Sequence, residues 1–257
     1  GTIHPRYPRG TESLFYCLLV ETNDGLMLVD TGFGVKDYLD PTPFIRLFTR
    51  LLGMERRLEE TAIRRVEALG FTKEDVKHII LTHLHCDHTG GLPDFPHSRV
   101  HVFRTEYEIA MHPKGPLARF YEQDHWRHGP DWHIYDRSDV IDWFGLESIR
   151  IDDNIFPDVR FIPLPGHTRG HCGVAISDGD EWLLHAGDST YPFYQAGVPR
   201  PPHKPLPWYL MRPPKIVERI VTGAQTPRLK SLIESHGESI KIICSNDLIT
   251  YSQIMNR

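Results

Sequence analysis

The segment Thr82-His83-Leu84-His85-Cys86-Asp87-His88 sets three imidazoles and a carboxylate within six residues, directly after the apolar run His78-Ile79-Ile80-Leu81. A short apolar run bounded by turn residues reads as a buried strand. The fold must therefore end a core strand here and open it into a polar loop, which Gly90-Gly91 closes. In an extended chain alternate side chains share one side, so His83 and His85 point the same way, with Asp87 and His88 following as the chain turns. Imidazole nitrogen and carboxylate oxygen are good zinc ligands at about 2.0 to 2.2 Å. At this spacing His83 and His85 can reach one ion.

Other segments repeat the pattern of a strand ending in a presented polar side chain. Leu164-Pro165-Gly166-His167-Thr168 places a histidine after a strand-like run and a Pro-Gly turn, and Ala186-Gly187-Asp188 places a carboxylate after Trp182-Leu183-Leu184-His185. Near the start, the apolar runs 14–20 and 26–29 flank Asp24-Gly25, a hairpin signal, and the chain then reaches Asp30-Thr31-Gly32 at a strand end. Leu58, Ala62, Ile63, Val66 and Leu69 form a helical stripe over 55–69 that Gly70 stops. Thr72 with Asp75 has the spacing of a capping pair for a short second helix. Arg99–Phe103 alternates like a strand, as do runs at 159–164, 172–177 and 182–186. Residues 105–145, rich in aromatics and histidines without a sustained period, are expected to be a mainly helical insertion. Eight prolines over 191–214 predict an irregular loop. Thr226-Pro227 starts a helix with Leu229, Leu232 and Ile233 on its buried face, Gly237 ends it, and Ile240–Cys244 is the last strand. Two packed sheets with helices outside, a four-layer α/β (α+β) sandwich, accommodate this order within one domain over 1–257.

His-x-His-x-Asp-His, then Pro-Gly-His-Thr-x-Gly-His, then Gly-Asp, with Asp30-Thr31-Gly32 ahead of them, resembles the metallo-β-lactamase fold superfamily of metal-dependent hydrolases from about residue 14 to 247. The resemblance implies an αββα sandwich with two divalent metal ions at one edge between the sheets. It implies His83, His85 and His167 around the first ion, Asp87 and His88 on the second, and Asp188 bridging both. An aspartate at 188, where the commonest zinc β-lactamases have cysteine, resembles the acyl-homoserine lactone lactonase and glyoxalase II branches. The family's final histidine is replaced: Asn246 follows Ile242-Ile243-Cys244-Ser245. An amide oxygen is a weaker ligand than imidazole for zinc. Either Asn246 coordinates weakly, or the second site binds metal poorly, or the residue is an introduced substitution. His236 is the nearest alternative donor. The resemblance also implies a tyrosine that hydrogen-bonds the substrate carbonyl, for which Tyr194 is the candidate, and a role for Asp87 in orienting the nucleophile. Asp30 is expected behind the ligands, holding an imidazole or the loop.

Two cations roughly 3.5 to 4 Å apart bring the pKa of a bridging water from about 15.7 to near 7 and polarise a carbonyl. The expected activity is hydrolysis of a small ester-like substrate by metal-bound hydroxide, a lactone first and a thioester of glyoxalase II type next. A metal-binding protein of low activity is the alternative that Asn246 leaves open. Zinc is the expected ion, with iron, manganese and cobalt accepting the same donors. The remaining histidines, among them His101, His125, His133, His171 and His185, read as structural. Phe120, Tyr121, Trp126 and Trp132 could wall a pocket.

A net charge of −5 from 29 basic and 34 acidic residues gives no footprint for nucleic acid. No apolar run approaches the roughly 18 residues that span a membrane. The four cysteines are scattered without paired spacing, and no charged-apolar-small leader opens the chain, so a reducing, cytoplasmic setting is expected. The expected partner is a small-molecule substrate, and a homodimer is compatible with the sequence.

Overall fold

The computed structural model describes residues 2–3, 13–14, 17–52, 54, 57–115, 117–151, 158–189 and 225–245. The predicted hairpin is β3 (Leu18–Thr22) and β4 (Gly25–Val29), antiparallel with Thr22 opposite Gly25; ahead of it lies a two-residue pair, β1 (Thr2–Ile3) and β2 (Ser13–Leu14). Helices α1 (Val35–Leu39), α2 (Pro43–Leu52) and α3 (Ala62–Ala68) follow, then β5 (Val76–Ile80), the short α4 (Cys86–Thr89), β6 (Arg99–Phe103) and α5 (Arg104–Met111). Strands β7 (Asp131–Tyr135), β8 (Val140–Trp143), β9 (Leu146–Arg150), β10 (Val159–Pro163), β11 (Cys172–Asp178) and β12 (Glu181–His185) come next, then α6 (Thr226–His236) and β13 (Ile240–Ile243).

Two mixed sheets carry the core. One is ordered β3-β4-β5-β6-β7, the other β13-β12-β11-β10-β9-β8. Between them pack Met27, Val29, Ile80 and Phe103 from the first sheet and Ile149, Val159, Phe161 and Val174 from the second. The alternate residues of the first sheet, Leu26, Leu28, Ile79 and Val100, face outward onto Val66 of α3 and Ala110 of α5. Leu229 and Leu232 of α6 cover the outer face of the second sheet at Ile162, Ala175 and Leu184. The result is helix, sheet, sheet, helix, the expected four-layer sandwich. Each fully buried Leu, Ile or Phe contributes about 1.5–3 kcal/mol, so period-two burial on both faces of both sheets fixes the layer order.

Several local expectations shift. Over 105–145, where a mainly helical insertion is expected, α5 and three 3-10 turns are joined by β7 and β8, which form sheet edges. Trp132 and Ile134 face the helices while His133 and Tyr135 lie on the opposite face, and the alternation, only five residues long in an aromatic-rich stretch, gives too short a strand signal. The stripe over 55–69 is a 3-10 turn at Leu58–Glu60 followed by α3; Leu69 lies beyond it, exposed. Asp75 accepts hydrogen bonds from the Thr72 backbone N–H and hydroxyl, but the segment it caps is one 3-10 turn. Helix α2 has no counterpart in the sequence reading. On α6 the N-cap is Gln225, one residue early, and Ile233 is exposed. Cys17, Cys86, Cys172 and Cys244 are all free thiols. Among the described residues no helix is long and apolar enough to cross a membrane. The proline-rich stretch 191–214, Tyr194 and Asn246 lie outside the described residues.

Candidate metal centre

All the polar motifs meet where strands of the two sheets end side by side. β4 delivers Asp30, β5 delivers the His83–His88 loop, β10 delivers His167, and β12 delivers Asp188. The sheets are stitched at this edge by the Cys172 N–H donating to the Thr82 carbonyl at 2.9 Å. Gly187 takes φ +52°, the left-handed region, and a Cβ there would lie 2.6 Å from His171 Nε2. A glycine is therefore required directly before Asp188.

Leu84 is buried in the helix-side core, which turns His83 and His85 together to the other side. One group, His83, His85 and His167, and a second, His83, His88 and Asp188, each bring their ligand atoms within 4.8 Å of one another and could each hold a metal ion. His85 Nδ1 faces His167 Nε2 at 2.9 Å. Asp188 looks both ways: Oδ1 is 3.4 Å from His88 Nε2 and Oδ2 is 3.6 Å from His167 Nε2. Asp87 Oδ2 stands 3.8 Å from His88 Nε2, at the edge of the second group. His236, the alternative donor, instead packs against the Phe144 ring.

Asp30 sets the protons. It holds a positive φ of 57°, rare for a residue with a side chain. Its carboxylate accepts from the Thr82 N–H and hydroxyl, both at 2.8 Å, and pairs with His88 Nδ1 at 2.8 Å. Because the Thr82 hydroxyl donates to Asp30, its oxygen is left to accept from His83 Nδ1 at 3.1 Å. Both imidazoles thus carry their proton on Nδ1 and turn Nε2 inward, as metal-binding histidines held by a carboxylate do. His83 Nε2 and His167 Nδ1 are buried without a hydrogen-bond partner among the described residues, and His88 Nε2 has Asp188 Oδ1 beside it at 3.4 Å. Buried nitrogens in that state are costly unless something fills them, and a divalent cation fits this donor set. His171 differs: Nδ1 meets the Leu164 carbonyl at 3.1 Å and Nε2 accepts from the Asp188 N–H at 3.0 Å, so its ring braces the loops.

The electrostatics divide the rings. Burial, reinforced by the neighbouring imidazoles, pushes His83 and His85 well below the ordinary histidine range, so both stay neutral. Burial also opposes charge on His88, but Asp30, Asp188 and Asp87 around it prevail and raise its pKa well above the ordinary value. Three carboxylates about one ring make a field that favours a cation, a proton or a metal. Burial raises Asp87 to about 6, against the pull of His88.

The sequence reading missed Glu106. It is fully buried at the start of α5 and accepts from the Leu84 N–H at 3.0 Å and the Thr168 hydroxyl at 2.6 Å. Read alone, Arg104-Thr105-Glu106 is an acidic first helical turn, and its partners come from residues 84 and 168, far away along the chain. Beside the site, the rings of Phe120 and Tyr121 pack on His85 with centroids 5.5 and 5.0 Å away, and Phe44 and Phe48 stand edge-on to Phe120.

Known proteins are similar to this chain in sequence and fold. A probable metallo-hydrolase of Mycobacterium tuberculosis is 38% identical over 241 residues, 93% of this chain and 76% of its own. The N-acyl homoserine lactonase AiiA of Bacillus thuringiensis subsp. kurstaki is 29% identical over 162 residues, 63% of this chain and 57% of its own. The crystal structure of a B. thuringiensis AiiA variant with N-decanoyl-L-homoserine bound at its active site superposes with a TM-score of 0.64, at 22% identity, over 95% of this chain and 85% of that one. AidC, described as a dizinc quorum-quenching lactonase, superposes with a TM-score of 0.58, at 20% identity, over 92% and 73% of the two chains. The family model described as the metallo-beta-lactamase superfamily matches residues 16–235. This chain belongs to the metallo-β-lactamase superfamily and is a metal-dependent hydrolase of that fold.

Proposed function

We propose that the edge binds two divalent ions, zinc by preference, and hydrolyses a small ester-like substrate, a lactone ahead of a thioester. The observation that carries this reading is Asp188, whose two oxygens face the His88 and His167 rings at 3.4 and 3.6 Å between two groups of buried donors. His83, His85 and His167 would hold the first ion, and His88 with Asp87 the second, Asp188 serving both. Bound ions would supply a nucleophile at neutral pH and polarise the scissile carbonyl. The protein's own groups do the rest. Asp30 keeps the His83 and His88 protons on Nδ1 so that Nε2 stays available. Asp87 accepts a hydrogen bond from the attacking water and orients it. Phe120 and Tyr121 exclude water from the His85 side and offer an apolar wall to an acyl group. Tyr194 would donate to the substrate carbonyl, and Asn246 would stand as the weak last ligand of the second ion.

Support for a lactone comes from the N-acyl homoserine lactonases among the relatives. Against the glyoxalase II alternative, the last helix and tail carry only Arg228, Lys230, Lys241 and Arg257, too few to grip a polycarboxylate thioester. The reading includes a small-molecule substrate, no nucleic-acid partner and a cytoplasmic setting in one domain; the net charge of −5 supports the second and the scattered free thiols the third. One sample should be assayed on lactones, thioesters, β-lactams and phosphodiesters while its metal is measured by elemental analysis. About two ions per chain with lactone turnover is the expected result; turnover that survives in the metal-free protein would overturn the reading.

A further inference from the structure

Resting on the reading of this edge as a hydrolytic metal centre, we propose that Glu106 is the positioning residue of the three-histidine group. Its carboxylate ties the loop bearing His83 and His85 to the loop bearing His167, and so sets how closely those rings approach.

The geometry is specific to a carboxylate. Two donors hydrogen-bond to Glu106, the Leu84 N–H to Oε1 at 3.0 Å and the Thr168 hydroxyl to Oε2 at 2.6 Å, and the nearby Tyr121 hydroxyl and Gly170 N–H oppose the rise in its pKa that burial causes. A carboxylate has acceptors on both oxygens and no donor, so each oxygen takes the donor of one loop, whereas an amide would turn donors of its own on one of these partners. The donors stand where leverage over the rings is greatest. Leu84 lies between His83 and His85, and Thr168 directly follows His167. The second loop is seated on the helix that carries Glu106: a Cβ on Gly170 would lie 2.2 Å from the Glu106 backbone nitrogen, so the motif needs glycine there for close approach. The wall of the site stands beside this link, where the Tyr121 ring packs on His85. One buried side chain thus joins both ligand loops. Removal of partners that orient metal ligands typically costs about 10- to 100-fold in metal affinity.

The test measures metal rather than turnover. Wild type, Glu106→Gln, Thr168→Val and Thr168→Ser are stripped, their folding checked by circular dichroism, and titrated with Zn²⁺ against a chromophoric chelator and with one equivalent of Co²⁺ to record its visible d–d bands. Glu106→Gln is expected to bind the first Zn²⁺ about 10- to 100-fold more weakly and to shift the Co²⁺ bands. Thr168→Ser, which keeps the hydroxyl, should match wild type, and Thr168→Val should weaken binding. A folded Glu106→Gln with wild-type affinity and spectrum overturns the proposal. Should Glu106→Gln fail to fold, equal affinities for Thr168→Val and Thr168→Ser overturn it instead. If wild type itself takes up no ion, the functional reading beneath it fails, a result distinct from either of those.

Discussion

His78, His101 and His133 lie side by side on β5, β6 and β7, on the same sheet whose strand end bears His83, His85 and His88. His78 and His101 are as deeply buried as the metal-centre rings, and the spacing of 5.1 Å between neighbouring centroids is about as tight. The two clusters differ in what their nitrogens meet. In the ladder, His78 Nδ1 bonds His101 Nε2 at 2.9 Å, His101 Nδ1 bonds the Tyr135 hydroxyl at 2.9 Å, and His78 Nε2 faces Asp24 at 3.4 Å. At the strand end, His83 Nε2 has no such partner among the described residues, and His88 Nε2 meets Asp188, a member of the same donor group, at 3.4 Å. Density and burial of histidines therefore do not mark a metal centre. Convergent nitrogens whose protons are already committed elsewhere do, because only those leave lone pairs for a cation.

The sharpest way to break this contrast is to remove the carboxylate shared by both donor groups. Asp188→Ala should lose bound metal and hydrolysis together, with turnover down about a thousandfold, since metal charge stabilisation of several kcal/mol converts at ~1.4 kcal/mol per tenfold. Elemental analysis and initial rates on one preparation check it, and a metal-depleted variant with full activity would contradict it.

The ladder should respond in the opposite currency. His101→Ala removes a fully buried ring and the bonds that His78 and Tyr135 make to it, which should cost about 3 kcal/mol of stability. Metal content should stay at the wild-type value. Urea unfolding alongside metal analysis separates the two effects, and a loss of metal without loss of stability would erase the distinction between the clusters.

The smallest effect lies in the pH dependence. Burial, with His78, His133 and Arg99 nearby, lowers His101 to about 3, while its unfolded value is the ordinary ~6.5. Between those values the unfolded chain binds the extra proton, so stability falls as pH drops from 6.5 toward 3. One such group contributes a slope of up to about 1.4 kcal/mol per pH unit. In chelator-treated protein, denaturant midpoints from pH 4.5 to 6.5 should depend on pH less steeply for His101→Gln than for wild type. Parallel curves would mean that His101 does not stay neutral in the fold.

Much of this was legible in the chain. The strand ends at Ile80, Pro163 and His185 each precede a polar motif, and two apolar runs flanking the Asp24-Gly25 turn announce the first sheet's hairpin. What was not legible depended on partners distant in sequence. Glu106 reads as an exposed helix-start acid until Leu84, 22 residues back, and Thr168, 62 residues on, close around it. Residues 131–135 hid their strand because it is a half-buried sheet edge whose alternation lasts only five residues.

The amino-acid sequence by itself determined the donor set, since residue types and strand-loop spacing are local facts that fix which side chains a strand end can present. Only the tertiary structure decided which nitrogens are left available, because that depends on Asp30, Thr82 and Glu106 arriving from separate strands and helices to take up the protons and hold the loops. Hydrogen bonds are satisfied in space rather than along the chain, and it is their pattern that separates a metal centre from a packed row of histidines.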